Sequence, residues 1–270
     1  MPAADAAVKA DDMADALERL RVQTPLVHCL TNVVVAGFTA NALLAAGAAP
    51  AMADAVEDAD VLARAAGGVL VNIGTVTAAS ADGMRAAVVA VGDAGGRWVL
   101  DPVAAGALPW RAALAAELTE LYPPAVVRGN ASEVLALTGE LGGRGVDASA
   151  GPDDAAAAAT AIAGRFGATV AVSGAVDLIT DGERIVRVEN GHPLMTKVTG
   201  VGCVLGALAA GFLAVVDDPL LATVTATVFL TLAAEDAVAR ADKPGSFAVG
   251  LIDELATVDG DRIRTGARLR

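Results

Sequence analysis

Residues 196–207 read TKVTGVGCVLGA and place Cys203, one of two cysteines in the chain, behind a Gly-x-Gly turn and ahead of a long apolar run. A helix start leaves several backbone N–H groups unpaired and carries partial positive charge, so it receives anions. The consecutive N–H groups from Gly200 through Val201 and Gly202 to Cys203 form a nest for the oxygens of a transferring phosphoryl group. Cys203 then sits beside the acceptor hydroxyl. A tight turn before a buried helix carries the same pattern, because a lone glycine motif is a weak marker.

Asp101, in LDPV, is a hard oxygen ligand for magnesium, and Glu133, in RGNASE, approaches the same ion from a helix start. Magnesium in phosphoryl-transfer sites is held by one or two carboxylates plus phosphate oxygens and water. NASE also spells a capping box, with Asn130 as N-cap and Glu133 at N3, and the two readings are compatible. Arg128 supplies planar, bidentate charge for a phosphate. Neither the Walker-A pattern nor a dinucleotide fingerprint occurs, so a nucleotide must be held by another architecture.

Upstream, PLVHCLTNVVVAGFTANALLAAGAAPAMADA reads as strand, polar turn, apolar helix and a second short strand near Met52. Asn32 at the turn is placed to donate a hydrogen bond, and Met52 at the strand end to pack on an uncharged heterocycle. From pattern alone, an N-cap role for Asn32 and a core-filling role for Met52 are favoured. His28 reads as structural.

Elements must bring these residues together. From residue 67 onward, short β-branched runs at 68–74, 97–102, 125–130 and 169–174 alternate with alanine-rich helical stretches near 77–92, 110–121, 131–138 and 153–166. That alternation predicts an α/β fold with a mostly parallel sheet. A β-hairpin turning at Asp181 and Gly182 interrupts it, and the glycine-rich stretch at 139–151 reads as a mobile loop. In open α/β sheets, ligands gather outside the carboxyl ends of the strands. Asn72, Asp101, Arg128 with Asn130, and Ser173 close the four runs, so parallel strands would set them along one edge.

With 270 residues and 55% hydrophobic content, the chain suits a single domain, opened by an amphipathic capping helix over about 11–21 within residues 1–24. A net charge of -13 argues against nucleic acid and membrane surfaces. The few lysines fit a salt-adapted host or a GC-rich genome. Cys29 and Cys203 have neither disulfide nor zinc spacing, and the N-terminal stretch lacks a signal-peptide pattern, which points to a reducing cytoplasm. Residues 198–216 carry no charge and 220–234 are apolar, a pattern shared by a membrane hairpin and by two helices buried in a large core. The turn glycines shorten the first run, so the buried pair is expected.

Taken in order, VHCLTNVVVAGFTANALLAAGAAPAMADA, LVNIGT, VLDPVAAGA, RGNASEVLAL, VSGAVDLITDG, NGHPLMTKVTGVGCVLGAL and KPGSF resemble hydroxyethylthiazole kinases of the ribokinase-like superfamily over about 25–255. The resemblance implies a three-layer fold with a central, mostly parallel sheet flanked by helices. It implies ATP- and magnesium-dependent phosphorylation of a thiazole alcohol in thiamine salvage by a homotrimer with active sites near subunit boundaries. Position by position, Asn32, Met52 and Gly200 resemble thiazole-contacting residues, and Arg128 and Ser173 nucleotide-phosphate contacts. Asp101 and Glu133 resemble the acidic pair near magnesium, and Cys203 occupies the catalytic-base position. Most ribokinase-like kinases resemble GAGD at that turn, whereas the thiazole branch looks like TGxGC, with Val201 here in the variable place.

The helix start is expected to lower the thiol below its usual pKa of about 8.5, with phosphate charge opposing. Ala175 in SGAVD and Val201 depart from common family residues and predict an altered nucleotide environment and a more crowded nest. Rival readings are a hydroxymethylpyrimidine-type kinase, against which Cys203 and HCLTN speak, a thiazole or nucleotide sensor without catalysis, and a hydratase or dehydratase on the same scaffold.

Overall fold

The computed structural model describes residues 8–138 and 151–270, so residues 139–150 of the stretch read as a mobile loop lie outside the described residues. β-Branched and apolar runs form β1 (Leu26–Leu30), β2 (Ala49–Ala51), β3 (Gly68–Asn72), β4 (Trp98–Asp101), β5 (Val126–Asn130), β6 (Thr169–Ser173), β7 (Asp177–Thr180) and β8 (Ile185–Val188). Among the described residues they make one sheet in the order β2-β1-β3-β4-β5-β6-β7-β8. All neighbours from β2 to β6 run parallel, and the β7–β8 hairpin adds the antiparallel edge.

Side chains alternate across a strand, so each central strand feeds two cores. Val69 and Val71 of β3, Trp98 and Leu100 of β4, and Val170 and Val172 of β6 enter one core. That layer is closed by α3 (Val56–Ala65), α4 (Ala78–Asp93), α5 (Pro109–Leu121), α6 (Ala131–Leu137) and α7 (Ala156–Phe166). Leu70, Val99, Val126 and Ala171 enter the other. There they meet α1 (Ala10–Gln23), α2 (Ala36–Ala46), α8 (Val201–Leu213), α9 (Pro219–Arg240), α10 (Pro244–Thr257) and α11 (Gly260–Gly266). The three-layer α/β expectation holds.

The two apolar runs are α8 and α9, both buried in the second core. Length and composition alone would let α9 cross a membrane, yet 78% of its apolar window is buried inside the fold. Pro219 at its start follows Asp218, which caps the Leu220 N–H.

Boundaries depart from the pattern at few places. The strand expected over 68–74 stops at Asn72, whose side chain folds back to accept the Gly74 N–H. The helix expected from 153 starts at Ala156, after a turn in which Asp154 N–H bonds the Gly151 carbonyl. Three helices escaped the pattern reading: α3, α10 and α11. Phe247, Leu251 and Leu255 of α10, four residues apart and buried, carried that signal.

Candidate active site

Because β1 and β3 to β6 are parallel, their carboxyl ends share one edge, and α8 starts over it. Gly200 precedes α8 with φ of +97°, a conformation L side chains rarely adopt, and a Cβ there would lie 2.7 Å from Val35. This bend leaves the N–H groups of Val201, Gly202 and Cys203 as the unpaired first turn, while Val204 N–H already bonds the Gly200 carbonyl. Gly202 serves a different need: a Cβ there would come within 2.8 Å of both terminal nitrogens of Arg128. Only glycine lets the guanidinium lie against the helix start.

Five strand ends are joined by side chains. Arg128 of β5 donates to Ser173 Oγ of β6 at 3.1 Å and stands 3.5 Å from both Asp101 oxygens, an ion pair rather than a tight hydrogen bond. Asp101, fully buried, accepts from Asn72 Nδ2 at 2.7 Å. Asn72 Oδ1 accepts from Asn32 Nδ2 at 3.1 Å, and the same Asn32 nitrogen lies 3.3 Å from Cys203 Sγ. The chain of contacts thus runs from β6 to β1 and ends on the thiol at the α8 start.

Burial pushes the Asp101 carboxyl up to about 6; Arg128 opposes the shift, while the charge of Glu133 adds to it. Burial likewise raises the Cys203 thiol, with the Asp101 charge next, although Asn32 and Arg128 pull the other way. The expectation of a lowered thiol is therefore overturned. Desolvation and a neighbouring carboxylate outweigh the helix start.

Glu133 is the capping-box residue that the sequence spelled: Asn130 Oδ1 accepts its N–H at 3.0 Å, and its Oε2 accepts the Asn130 N–H at 2.8 Å. Its Oε1 also accepts the Ala104 N–H at 2.9 Å, pinning the loop that follows Asp101. Among the described residues no group of three or more His, Cys, Asp or Glu forms a metal cage. Asp101 and Glu133 nevertheless suit magnesium, since they are two hard oxygen donors and the Glu133 charge helps raise the buried Asp101, a strain that a divalent cation would relieve.

A cavity of about 540 Å³ opens beside this edge, lined by Arg128, Ser173, Asp177, Val201, Gly202 and Thr231 among others. Its charged end fits an anion: Arg128 Nε is buried with no partner among the described residues. Asn32, Met52 and Cys203 stand outside that lining, so the thiol side and the cavity side meet at the helix start. Asn32 is not the N-cap of α2, because Val35 takes that position. Met52 is not a core filler either, being 36% exposed. His28 is buried and bonds the Ala53 carbonyl at 2.7 Å, as a structural residue should. Ala175 lines the cavity, and Val201 is buried with its side chain packed on the second core.

Sequence reasoning missed Asp177, which lines the cavity, accepts the Gly174 N–H at 2.8 Å and is pushed up to about 6, mainly by burial. Between about pH 4 and 6 the folded chain binds a proton here that the unfolded chain has lost. This group's contribution to stability therefore falls as pH rises through that window. Asp177→Asn, which keeps an acceptor oxygen, is expected to raise the melting temperature relative to wild type by a few degrees more at pH 7 than at pH 4. Paired thermal melts across the window check this, and an equal difference at both pH values would contradict it.

A model of the hydroxyethylthiazole kinase family matches residues 17–261. The chain is 53% identical over 257 residues to a protein of Clavibacter sepedonicus named hydroxyethylthiazole kinase, covering 95% of this chain and 93% of that one. The solved structure of a hydroxyethylthiazole kinase protein from Pyrococcus horikoshii superposes with a TM-score of 0.89 at 42% identity, covering 96% of this chain and 98% of that one. Pyridoxal kinase from Staphylococcus aureus, solved with AMP-PCP and pyridoxal, shares the fold at a TM-score of 0.61 and 17% identity, covering 78% of this chain and 87% of that one.

Proposed function

Because the chain belongs to the hydroxyethylthiazole kinase family, we propose that it transfers the γ-phosphoryl group of ATP to the primary alcohol of 4-methyl-5-(2-hydroxyethyl)thiazole, the salvage step that supplies thiazole phosphate for thiamine. The observation that carries this reading is the meeting of a thiol, a bare helix start and a largely buried arginine at one point on the sheet edge.

In this reading Arg128 and Ser173 hold nucleotide phosphates, and the N–H groups of Val201, Gly202 and Cys203 receive the oxygens of the moving phosphoryl group. Gly200, Asn32 and Met52 contact the thiazole. Bound magnesium would neutralise phosphate charge, and Asp101 and Glu133 are the residues that would hold it. Cys203 orients the acceptor hydroxyl, and its minor thiolate form takes the hydroxyl proton late, becoming the neutral thiol. A loose phosphoryl-transfer transition state asks little of a base before then, so positioning and charge carry most of the acceleration.

The raised thiol supports the same division of labour. Cys203→Ala is expected to lose at most about 10² to 10⁴ in kcat, the range for removal of a general base. Cys203→Asp should retain activity. Steady-state assays decide, and a folded but inactive aspartate variant would contradict this role.

The whole chain acts as one domain, as a homotrimer in the cytoplasm, with sites near subunit boundaries and no nucleic-acid or membrane partner. Val33 and Val34, 77% and 66% exposed beside Asn32, support an interface close to the thiazole side. The test of the function is magnesium-dependent ADP release with the thiazole alcohol, with hydroxymethylpyrimidine and with no acceptor, at low and molar salt. Release only with the thiazole is expected. Release with the pyrimidine alone would overturn the substrate, and silence from folded protein would favour a sensor.

A further inference from the structure

Asn72 is buried at the end of β3, and its amide can point only one way. The Asp101 carboxylate accepts at 2.7 Å, so the Asn72 NH₂ must face it. That leaves Asn72 Oδ1 on the other side, where the Gly74 N–H donates at 3.0 Å and Asn32 Nδ2 at 3.1 Å. Asn32 must then present its own NH₂ toward Asn72, and the same nitrogen lies 3.3 Å from Cys203 Sγ. Flipping either amide would set acceptor against acceptor or donor against donor along a buried row.

We infer that Asn72 is a positioning residue. It reads the orientation of the Asp101 carboxylate and hands it through Asn32 to the Cys203 sulfur, so that the thiol accepts from Asn32 and the Asn32 carbonyl oxygen faces the acceptor alcohol. The inference rests on the kinase reading above. It adds a residue and a direction to it: acceptor-side geometry is set from the metal-side carboxylate through two amides. Gly74 belongs to the same device, since a Cβ there would press within 2.9 Å of both the Asn32 nitrogen and Asn72 Oδ1.

The test is a double-mutant cycle on the full chain, read as separate KM and kcat values for thiazole alcohol and ATP. Asn72→Ser keeps a hydroxyl for Asp101 and is too short to reach Asn32. It should lower kcat/KM for the thiazole about 10- to 100-fold, with KM for ATP unchanged within about threefold, the scale of a lost orientation. The Asn32→Ala variant should lose a similar factor, and the double variant should be no worse than the poorer single one. Losses that multiply, or a rise in KM for ATP equal to that for the thiazole, would overturn the inference.

Should Asn72→Ser fail to fold, Asn32→Asp answers the same question. An isosteric carboxylate cannot donate to Asn72 Oδ1, so it should fall at least as far as Asn32→Ala. Wild-type activity in Asn32→Asp would overturn the relay. Wild-type protein without thiazole-dependent turnover would remove the kinase reading and this inference together, whereas turnover with independent losses removes this inference alone.

Discussion

Asp101→Asn is expected to lower kcat by at least about 10³, because a bound cation contributes several kcal/mol of charge stabilisation and each 1.36 kcal/mol is tenfold in rate. The fold should survive. Asparagine has the shape of the side chain it replaces, and the wild-type carboxylate is already held uncomfortably, with burial raising it to about 6. Arg128 loses its ion-pair partner, 3.5 Å away, yet keeps Ser173 and the fields of Glu133 and Asp177. Steady-state rates measured against magnesium concentration should show a higher magnesium requirement as well as a lower plateau. A plateau within tenfold of wild type would remove Asp101 from the metal site.

Arg128→Ala should be the second severe variant, with kcat/KM for ATP lower by about 10³, the lower end of what a phosphate-facing arginine contributes in phosphoryl transfer. The guanidinium lies against Gly202, bonds Ser173 and keeps an Nε beside the cavity that has no partner among the described residues. It therefore joins the helix start to the nucleotide side. Arg128→Lys should rescue little, since an ammonium cannot lie flat under the helix and offer two parallel donors. Stability should drop by less than the roughly 3–5 kcal/mol of a broken buried pair, because Asp101 escapes the lost partner by taking up a proton. Above the pH at which Asp101 gives up that proton, this variant, unlike Asp101→Asn, should keep the wild-type magnesium requirement. Full ATP affinity in Arg128→Ala would contradict the assignment.

Much of this site was legible before any coordinates. Parallel strands follow from the βα alternation, and parallel strands put Asn72, Asp101, Arg128 and Ser173 on one edge whatever the details of packing. The TGVGC turn likewise pointed to a helix start, because two glycines stand directly before an uncharged apolar run, and Gly200 does turn there with a positive φ. What stayed hidden depends on tertiary distance. Glu133 N3 capping was visible locally, whereas its hold on Ala104, 29 residues away, was not. The thiol was misjudged because a helix start can be read from sequence, but burial and the nearby Asp101 cannot. Asp177 was missed for the same reason. In the sequence it only opens the hairpin strand DLIT, and only the packed hairpin shows that it lines the cavity.

If this edge moves a phosphoryl group onto a thiazole alcohol, the group itself can be followed. ATP labelled in its γ-phosphate is incubated with purified protein, magnesium and hydroxyethylthiazole, and the products are separated. Label is expected on the hydroxyethyl oxygen of the thiazole, dependent on magnesium and largely lost in Asp101→Asn. Label found only in free phosphate, or transferred to hydroxymethylpyrimidine while the thiazole stays unmodified, would contradict it.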